Sequence, residues 1–132
     1  QAPRPFGQRD HRAATPFRNA GPHASALHQR ARDLVARIGG EEFLVLCDRS
    51  DLQTTHNIAE RMRVAIEAAT ITCSDGASLQ VTISGGVYAA VPETDDMHTA
   101  LSRVDVALYR AKQAGRNQVV NWEKTDKQMV CR

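Results

Sequence analysis

The sequence predicts an α/β domain, a largely antiparallel sheet with one or two helices covering a face. Three observations predict it. Short apolar, β-branched runs lie in pairs around glycine-containing turns. Two longer stretches repeat their apolar residues at helical spacing. The segments follow the order strand–strand–helix–strand–strand–helix–strand, with connections short enough for hairpins.

The first strand pair is Leu34–Ile38 and Phe43–Cys47, joined by a tight turn at Gly39-Gly40. Asp51 is placed as an N-cap. After it, Ile58, Met62, Ala65, Ile66 and Ala69 recur at helical spacing and predict one long amphipathic helix. Thr70–Cys73 and Leu79–Ser84 flank Asp75-Gly76 as a second hairpin, and Gly85-Gly86 relaxes its second strand before Val87–Ala90. A loop around Pro92 and Asp95-Asp96 leads into the last helix, whose apolar face is Leu101, Val104, Leu108 and Ala111. Gly115 stands where a C-cap belongs, and Val119-Val120 forms a final short strand.

The head of the chain differs from its body. Residues 1–32 hold six arginines against the single acid Asp10, a charge of +5, whereas residues 33–132 carry −3. Four of the five prolines lie in the first 22 residues. Such a stretch buries too little apolar area to offset the entropy of ordering it. Three segments are therefore expected: a basic Pro/Arg-rich arm over 1–23, a folded region over 24–122 and a polar tail over 123–132. Ala26, Leu27, Arg30 and Ala31 fit the last turns of a helix at the start of the folded region.

Composition excludes several classes. No apolar run approaches the roughly 20 residues needed to cross a bilayer, so no membrane contact is expected. Cys47, Cys73 and Cys131 match neither a disulfide framework nor a metal knuckle, and read as thiols of a reducing cytoplasm. The arm has arginines but no helical periodicity, so a nucleic acid polymer is not an expected partner.

The chemically informative string is Gly39-Gly40-Glu41-Glu42-Phe43. The glycines let the chain turn sharply and leave room for a ligand to approach the backbone. Two adjacent carboxylates repel each other unless a cation lies near them, and oxygen donors of this kind suit Mg²⁺ shared with phosphates. A solvated turn with two exposed acids is the alternative. Lys112 and Arg116 lie four residues apart near the end of the last helix, where they form either an anion site or a solvated face favoured by the helix dipole.

The glycine–acid string, Ala59-Glu60-Arg61, Val81–Val87 and Ala107–Asn117 occur in the order and spacing of the GGDEF family of diguanylate cyclases, which the chain resembles from about Arg30 to Asn121. The resemblance implies a nucleotide-cyclase-like fold. It implies condensation of two GTP into cyclic di-GMP with release of pyrophosphate, by two chains paired as a homodimer with Mg²⁺ or Mn²⁺. By position, Glu41 matches a metal ligand and Glu42 the catalytic carboxylate beside it. Lys112 and Arg116 match phosphate-binding cations, and Gly39 and Gly40 the turn that substrate approaches. Arg30 and Asp33, an Arg-x-x-Asp five residues before the glycines, match the family's inhibitory product site, to which Arg61 adds from a partner domain. A surface ion pair is the alternative for Arg30 and Asp33.

The resemblance covers the C-terminal two-thirds of such a domain and lacks its N-terminal strand and helix. The family's Phe-Lys, Asn-Asp and Gly-Asp pairs, which serve metal and guanine, do not occur in the sequence. Ala14–Phe17 lies about where Gly-Asp belongs, and a shifted reading frame upstream of about residue 28 would produce it. The expected activity of the chain is consequently weak or absent. The competing expectation is a non-catalytic module that binds cyclic di-GMP through Arg30, Asp33 and Arg61.

Overall fold

The computed structural model describes residues 33–124 together with the backbone of Thr15 and Pro16. The arm (apart from those two residues), Arg30, the expected helical turns before Asp33 and the tail beyond Lys124 lie outside the described residues.

Strand β1 (Thr15–Pro16) pairs antiparallel with β2 (Leu34–Arg37), which pairs antiparallel with β3 (Phe43–Leu46) in the register Leu34↔Leu46 to Arg37↔Phe43. Having a strand on each side, β2 buries the neighbours Val35 and Ala36, whose side chains point to opposite faces. Helix α1 (Leu52–Ala68) begins at the expected cap: the Asp51 carboxylate accepts from the Thr54 N–H at 2.7 Å. Its buried residues are Ile58 and Met62, two of the predicted apolar set.

The second hairpin is shorter than expected. It consists of β4 (Ile71–Thr72) and β5 (Ser78–Leu79), turning through Gly76 at φ +85°. The chain then runs without regular pairing to β6 (Gly85–Val87). The two glycines thus lie inside a strand and not at its relaxation, and the reason is steric. A Cβ on Gly86 would stand 2.4 Å from the Leu108 nitrogen and 2.5 Å from the Val104 oxygen, both on helix α2 (Met97–Gln113). Only glycine lets helix and strand approach this closely.

Helix α2 returns the chain to β7 (Val119–Asn121), which pairs with β6 in parallel. The 17-residue helix between the two strands supplies the long crossover that parallel neighbours need and a tight hairpin cannot give. The fold is mixed α/β, mostly antiparallel, as expected, with this βαβ unit as its parallel part. Both helices pack on β6 and β7. Here lies the core: Ile58 and Met62 of α1, Val87 of β6, and Ala107 and Ala111 of α2, the last two with no exposed surface. Leu101, Val104 and Leu108 of the predicted stripe are only half-buried.

The loop from β6 to α2 is held by a polar cluster. Asp95, its side chain 4% exposed, accepts from the Tyr88 hydroxyl, from the Val91 N–H at 2.9 Å and from Arg103 at 3.1 Å. The Arg103 guanidinium lies 4.6 Å from the Trp122 ring centroid and 5.2 Å from that of Tyr88. Burial, together with the bond to Asp95, raises the Tyr88 hydroxyl above its ordinary value. No helix among the described residues is long and apolar enough to cross a membrane.

Candidate functional site

The β2–β3 connection carries Gly39-Gly40-Glu41-Glu42. It closes through the Ile38 and Gly39 N–H groups, which donate to the Glu42 carbonyl at 3.0 and 3.3 Å. Arg37 ties down the rest: its Nε donates to the Gly39 carbonyl at 3.1 Å and its Nη2 to the Gly40 carbonyl at 2.6 Å. Neither glycine takes a positive φ, so the turn does not require them for the reason expected from sequence. A Cβ on Gly40 would meet nothing within 4 Å. The turn is open to an approaching group and held from behind by its own arginine.

The two acids differ in surroundings. Glu41 is exposed, with no hydrogen bond or ion pair among the described residues. Glu42 turns inward, and its Oε1 lies 3.6 Å from Lys112 Nζ, with 17% and 22% of the two side chains exposed. The hairpin tip and the end of α2, 70 residues apart in sequence, therefore meet at one place. Among the described residues no three His, Cys, Asp or Glu side chains gather as a metal cage. Two carboxylates on one loop nevertheless suit Mg²⁺, which takes one or two protein oxygens and completes its shell with water and phosphate.

Lys112 and Arg116 are not helical neighbours, contrary to the i, i+4 expectation. Helix α2 ends at Gln113 with Ala114 as its cap, and Gly115 (φ +115°) reverses the chain. The Arg116 N–H donates back to the Ala111 carbonyl at 3.0 Å, closing a Schellman turn. Arg116 then stands outside the helix, exposed, at φ +63°, followed by Asn117 at +48°. For an arginine the left-handed conformation costs about 1–2 kcal/mol, and it persists only where the surroundings over-determine it. They do so here. The Asn117 N–H donates to Ser84 Oγ at 3.1 Å, its carboxamide oxygen accepts from Arg63 Nη1 at 2.9 Å, and Gln118 Nε2 donates to the Arg116 carbonyl at 3.1 Å.

Asp33 is only 6% exposed, at the foot of β2, and Arg61 is exposed on α1. Arg30 lies outside the described residues, so the expected trio is not assembled among them. Sequence reasoning passed over Arg37, Arg63, Ser84 and Asn117. Arg63 had a signal: Glu60 and Glu67 stand at i−3 and i+4, and it binds both, at 3.0 Å and 2.7 Å. That bond holds the Glu60 carboxyl below its ordinary value.

Fold and site together define a nucleotide-cyclase-like domain with acids at a hairpin tip and cations at a helix end. Comparison with known proteins gives the family. A family profile described as diguanylate cyclase, GGDEF domain, matches residues 22–118. The response regulator PleD of Caulobacter vibrioides is 43% identical over 96 residues, 72% of this chain and 21% of that protein. Diguanylate cyclase A of Treponema denticola is 39% identical over 90 residues, 68% of this chain and 24% of that protein. The chain thus spans about a quarter or less of these relatives.

Among solved structures, the GGDEF domain of PA1120 (TpbB or YfiN) from Pseudomonas aeruginosa superposes with a TM-score of 0.65 at 30% identity, over 83% of this chain and 65% of that one. The GGDEF domain of DgcB from Caulobacter crescentus, in complex with c-di-GMP, gives 0.67 at 27% identity, over 77% and 61%. The chain belongs to the GGDEF family, with Gly-Gly-Glu-Glu-Phe as its form of the signature.

Proposed function

We propose that residues 24–122 form a diguanylate cyclase domain whose substrate is GTP, with the triphosphate lying between the Gly39–Glu42 turn and the Lys112–Arg116 end of α2. The observation that carries this reading is the approach of Lys112 Nζ to Glu42 Oε1 across two distant segments. Lys112 and Arg116 bind phosphate oxygens, Arg116 by its fork. Glu41 would hold a divalent cation, Mg²⁺ or Mn²⁺. That ion would neutralise charge on the transferring group. Glu42, beside it, accepts the ribose 3′-hydroxyl proton or orients that hydroxyl. The 3′-oxygen of one GTP bonds to the α-phosphorus of the other, the bond from that phosphorus to the β-phosphate bridge breaks, and pyrophosphate leaves. A second such step closes the ring. Two chains face each other, one GTP on each, in the cytoplasm where GTP is found.

The 132-residue chain by itself carries none of the family's Phe-Lys, Asn-Asp or Gly-Asp pairs, so its own grip on metal and guanine is reduced. Losing one transition-state donor typically slows a reaction by about 10²–10³. Pyrophosphate release from GTP and Mg²⁺ is therefore expected at least about a hundredfold below that of a full-length relative, and abolished by Lys112→Met. Turnover at the relative's rate overturns the impairment. Residual turnover that survives Lys112→Met overturns the site.

A second reading, a non-catalytic cyclic di-GMP-binding module, is supported by the ligand in the Caulobacter crescentus structure. It uses Arg30, Asp33 and Arg61. Calorimetric binding of cyclic di-GMP that weakens with Arg61→Ala, in a chain with no GTP turnover, selects it.

A further inference from the structure

The left-handed turn that presents Arg116 needs an explanation that the helix end does not supply. Gly115 accounts for the chain reversal, and asparagine tolerates the conformation at 117, but the Schellman turn that the Arg116 N–H closes calls for a left-handed residue only at Gly115, not at Arg116. What surrounds the turn is a set of bonds reaching it from two other elements. Arg63 on α1, its side chain 16% exposed, is anchored first by Glu60 and Glu67. Anchored so, it turns the second N–H of Nη1 to the Asn117 carboxamide oxygen at 2.9 Å. On the other side Ser84, next to β6, accepts the Asn117 N–H at 3.1 Å, and the Gly85 N–H takes the Gln118 carbonyl at 2.9 Å. Asn117 is thus gripped at its side chain by α1 and at its backbone by the approach to β6.

We infer that Arg63 is a positioning residue for the phosphate-binding site: through Asn117 it fixes the 115–118 turn that aims Arg116. The inference rests on the reading of Arg116 as a phosphate ligand and adds the device that orients it. Arg63 touches no substrate. Its Glu60–Glu67 brace makes it a rigid strut in place of a flexible surface cation, and an unbraced side chain would lose more freedom in forming the same bond. The geometry also specifies arginine. Three separate N–H directions serve Glu60, Glu67 and Asn117 at once, which a single ammonium on a flexible stem does not reproduce.

The test separates positioning from general support. In the full chain, Arg63→Gln is expected to weaken GTP binding in the presence of Mg²⁺ by about tenfold, read by calorimetry. In an Arg116→Ala background the same substitution is expected to change affinity less than about twofold, because the residue it serves is gone. Equal losses in both backgrounds overturn the inference, since a merely structural role lowers both alike. Hydrogen exchange supplies an arm that needs no ligand. The Asn117 amide is expected to exchange at least about ten times faster in Arg63→Gln, with the centres of α1 and α2 unchanged. An unchanged Asn117 rate overturns the inference.

If Arg63→Gln fails to fold, Asn117→Gly cuts the same bond from the other end while keeping the left-handed conformation accessible. It is expected to match the Arg63→Gln losses, and wild-type affinity in it overturns the inference. Absence of GTP binding by the unaltered chain overturns the phosphate reading itself. The exchange arm then still decides whether Arg63 fixes the turn.

Discussion

Lys112 stands where the end of α2 meets the tip of the β2–β3 hairpin, and its partner there is Glu42 at 3.6 Å. At 3.6 Å, with both side chains still reached by solvent, this ion pair contributes little to stability, so its replacement tests function with small cost to the fold. Lys112→Met is expected to weaken GTP binding at least about tenfold, by removing a charge-assisted phosphate bond, while thermal melting moves little. A large loss of melting temperature with unchanged affinity would make the pair a structural tie. Single residues also set the response to acid. Asp51 and Asp96 cap the two helices, and the N–H groups of Thr54 and Thr99 that they accept hold both carboxyls below their ordinary values. A lowered folded value stabilises the fold above the unfolded value, and that contribution is lost as pH falls through the folded one. Below about pH 4 the helical signal is expected to become pH-sensitive. The double variant Asp51→Asn, Asp96→Asn keeps a capping side chain without its titration, and is expected to show a flatter profile between about pH 4 and pH 2. Identical acid profiles would assign the sensitivity to other carboxylates.

At the scale of elements, β6 and α2 approach each other closely at Gly86. Gly86→Ala would drive a methyl to within 2.4 Å of a backbone nitrogen and 2.5 Å of a backbone oxygen, atoms that move only with the whole helix. Overpacking of this sort costs about 1–3 kcal/mol. Here the displaced element carries Lys112, so the variant is expected to melt earlier and also to bind GTP less well. A chain melting at the original temperature would show that the helix yields freely. This contact explains what sequence could and could not tell. Periodicity located α1 and α2, and local spacing gave the Asp51 cap, because a helix declares its buried stripe and its first-turn acceptor in neighbouring residues; the Asp96 cap reads from sequence only as loop. Periodicity placed Gly85-Gly86 at a strand's relaxation, because the helix that demands glycine there is 18 or more residues further on. It missed the parallel pairing of β6 with β7, since alternation reports a strand and is silent on its direction. The site divides in the same way. The acids and cations were recognisable through their order along the chain, which is the family's order. The brace of Arg63 on Asn117 was hidden, because an arginine three and four residues from two glutamates on a helix looks like an ordinary solvated pair. Its third bond, 54 residues away, is a product of folding alone.

The proposed site takes one triphosphate per chain, whereas cyclic di-GMP contains two guanylyl units, and that mismatch has a kinetic consequence. If each chain holds one GTP at its 39–42 turn, neither 3′-hydroxyl reaches an α-phosphate until a second loaded chain faces the first. The symmetric solution is a two-fold axis between identical surfaces, which makes both bond-forming steps geometrically equivalent. A pairing of this kind that buries little beyond the nucleotides is weak, and the dimer is then a minor species at low protein concentration. Its population follows the square of the chain concentration, by mass action. Doubling the chain at saturating GTP and Mg²⁺ is therefore expected to raise initial pyrophosphate release about fourfold in this regime, and only twofold once dimers predominate. Forced pairing, by fusing a parallel two-stranded coiled coil to the chain, is expected to remove the quadratic phase and raise the rate per chain. A rate linear in concentration from the lowest measurable level, unchanged by forced pairing, would mean that one chain completes the chemistry alone. The facing-pair arrangement would then fail, while the triphosphate site at Glu42 and Lys112 would still stand or fall on its own binding measurements.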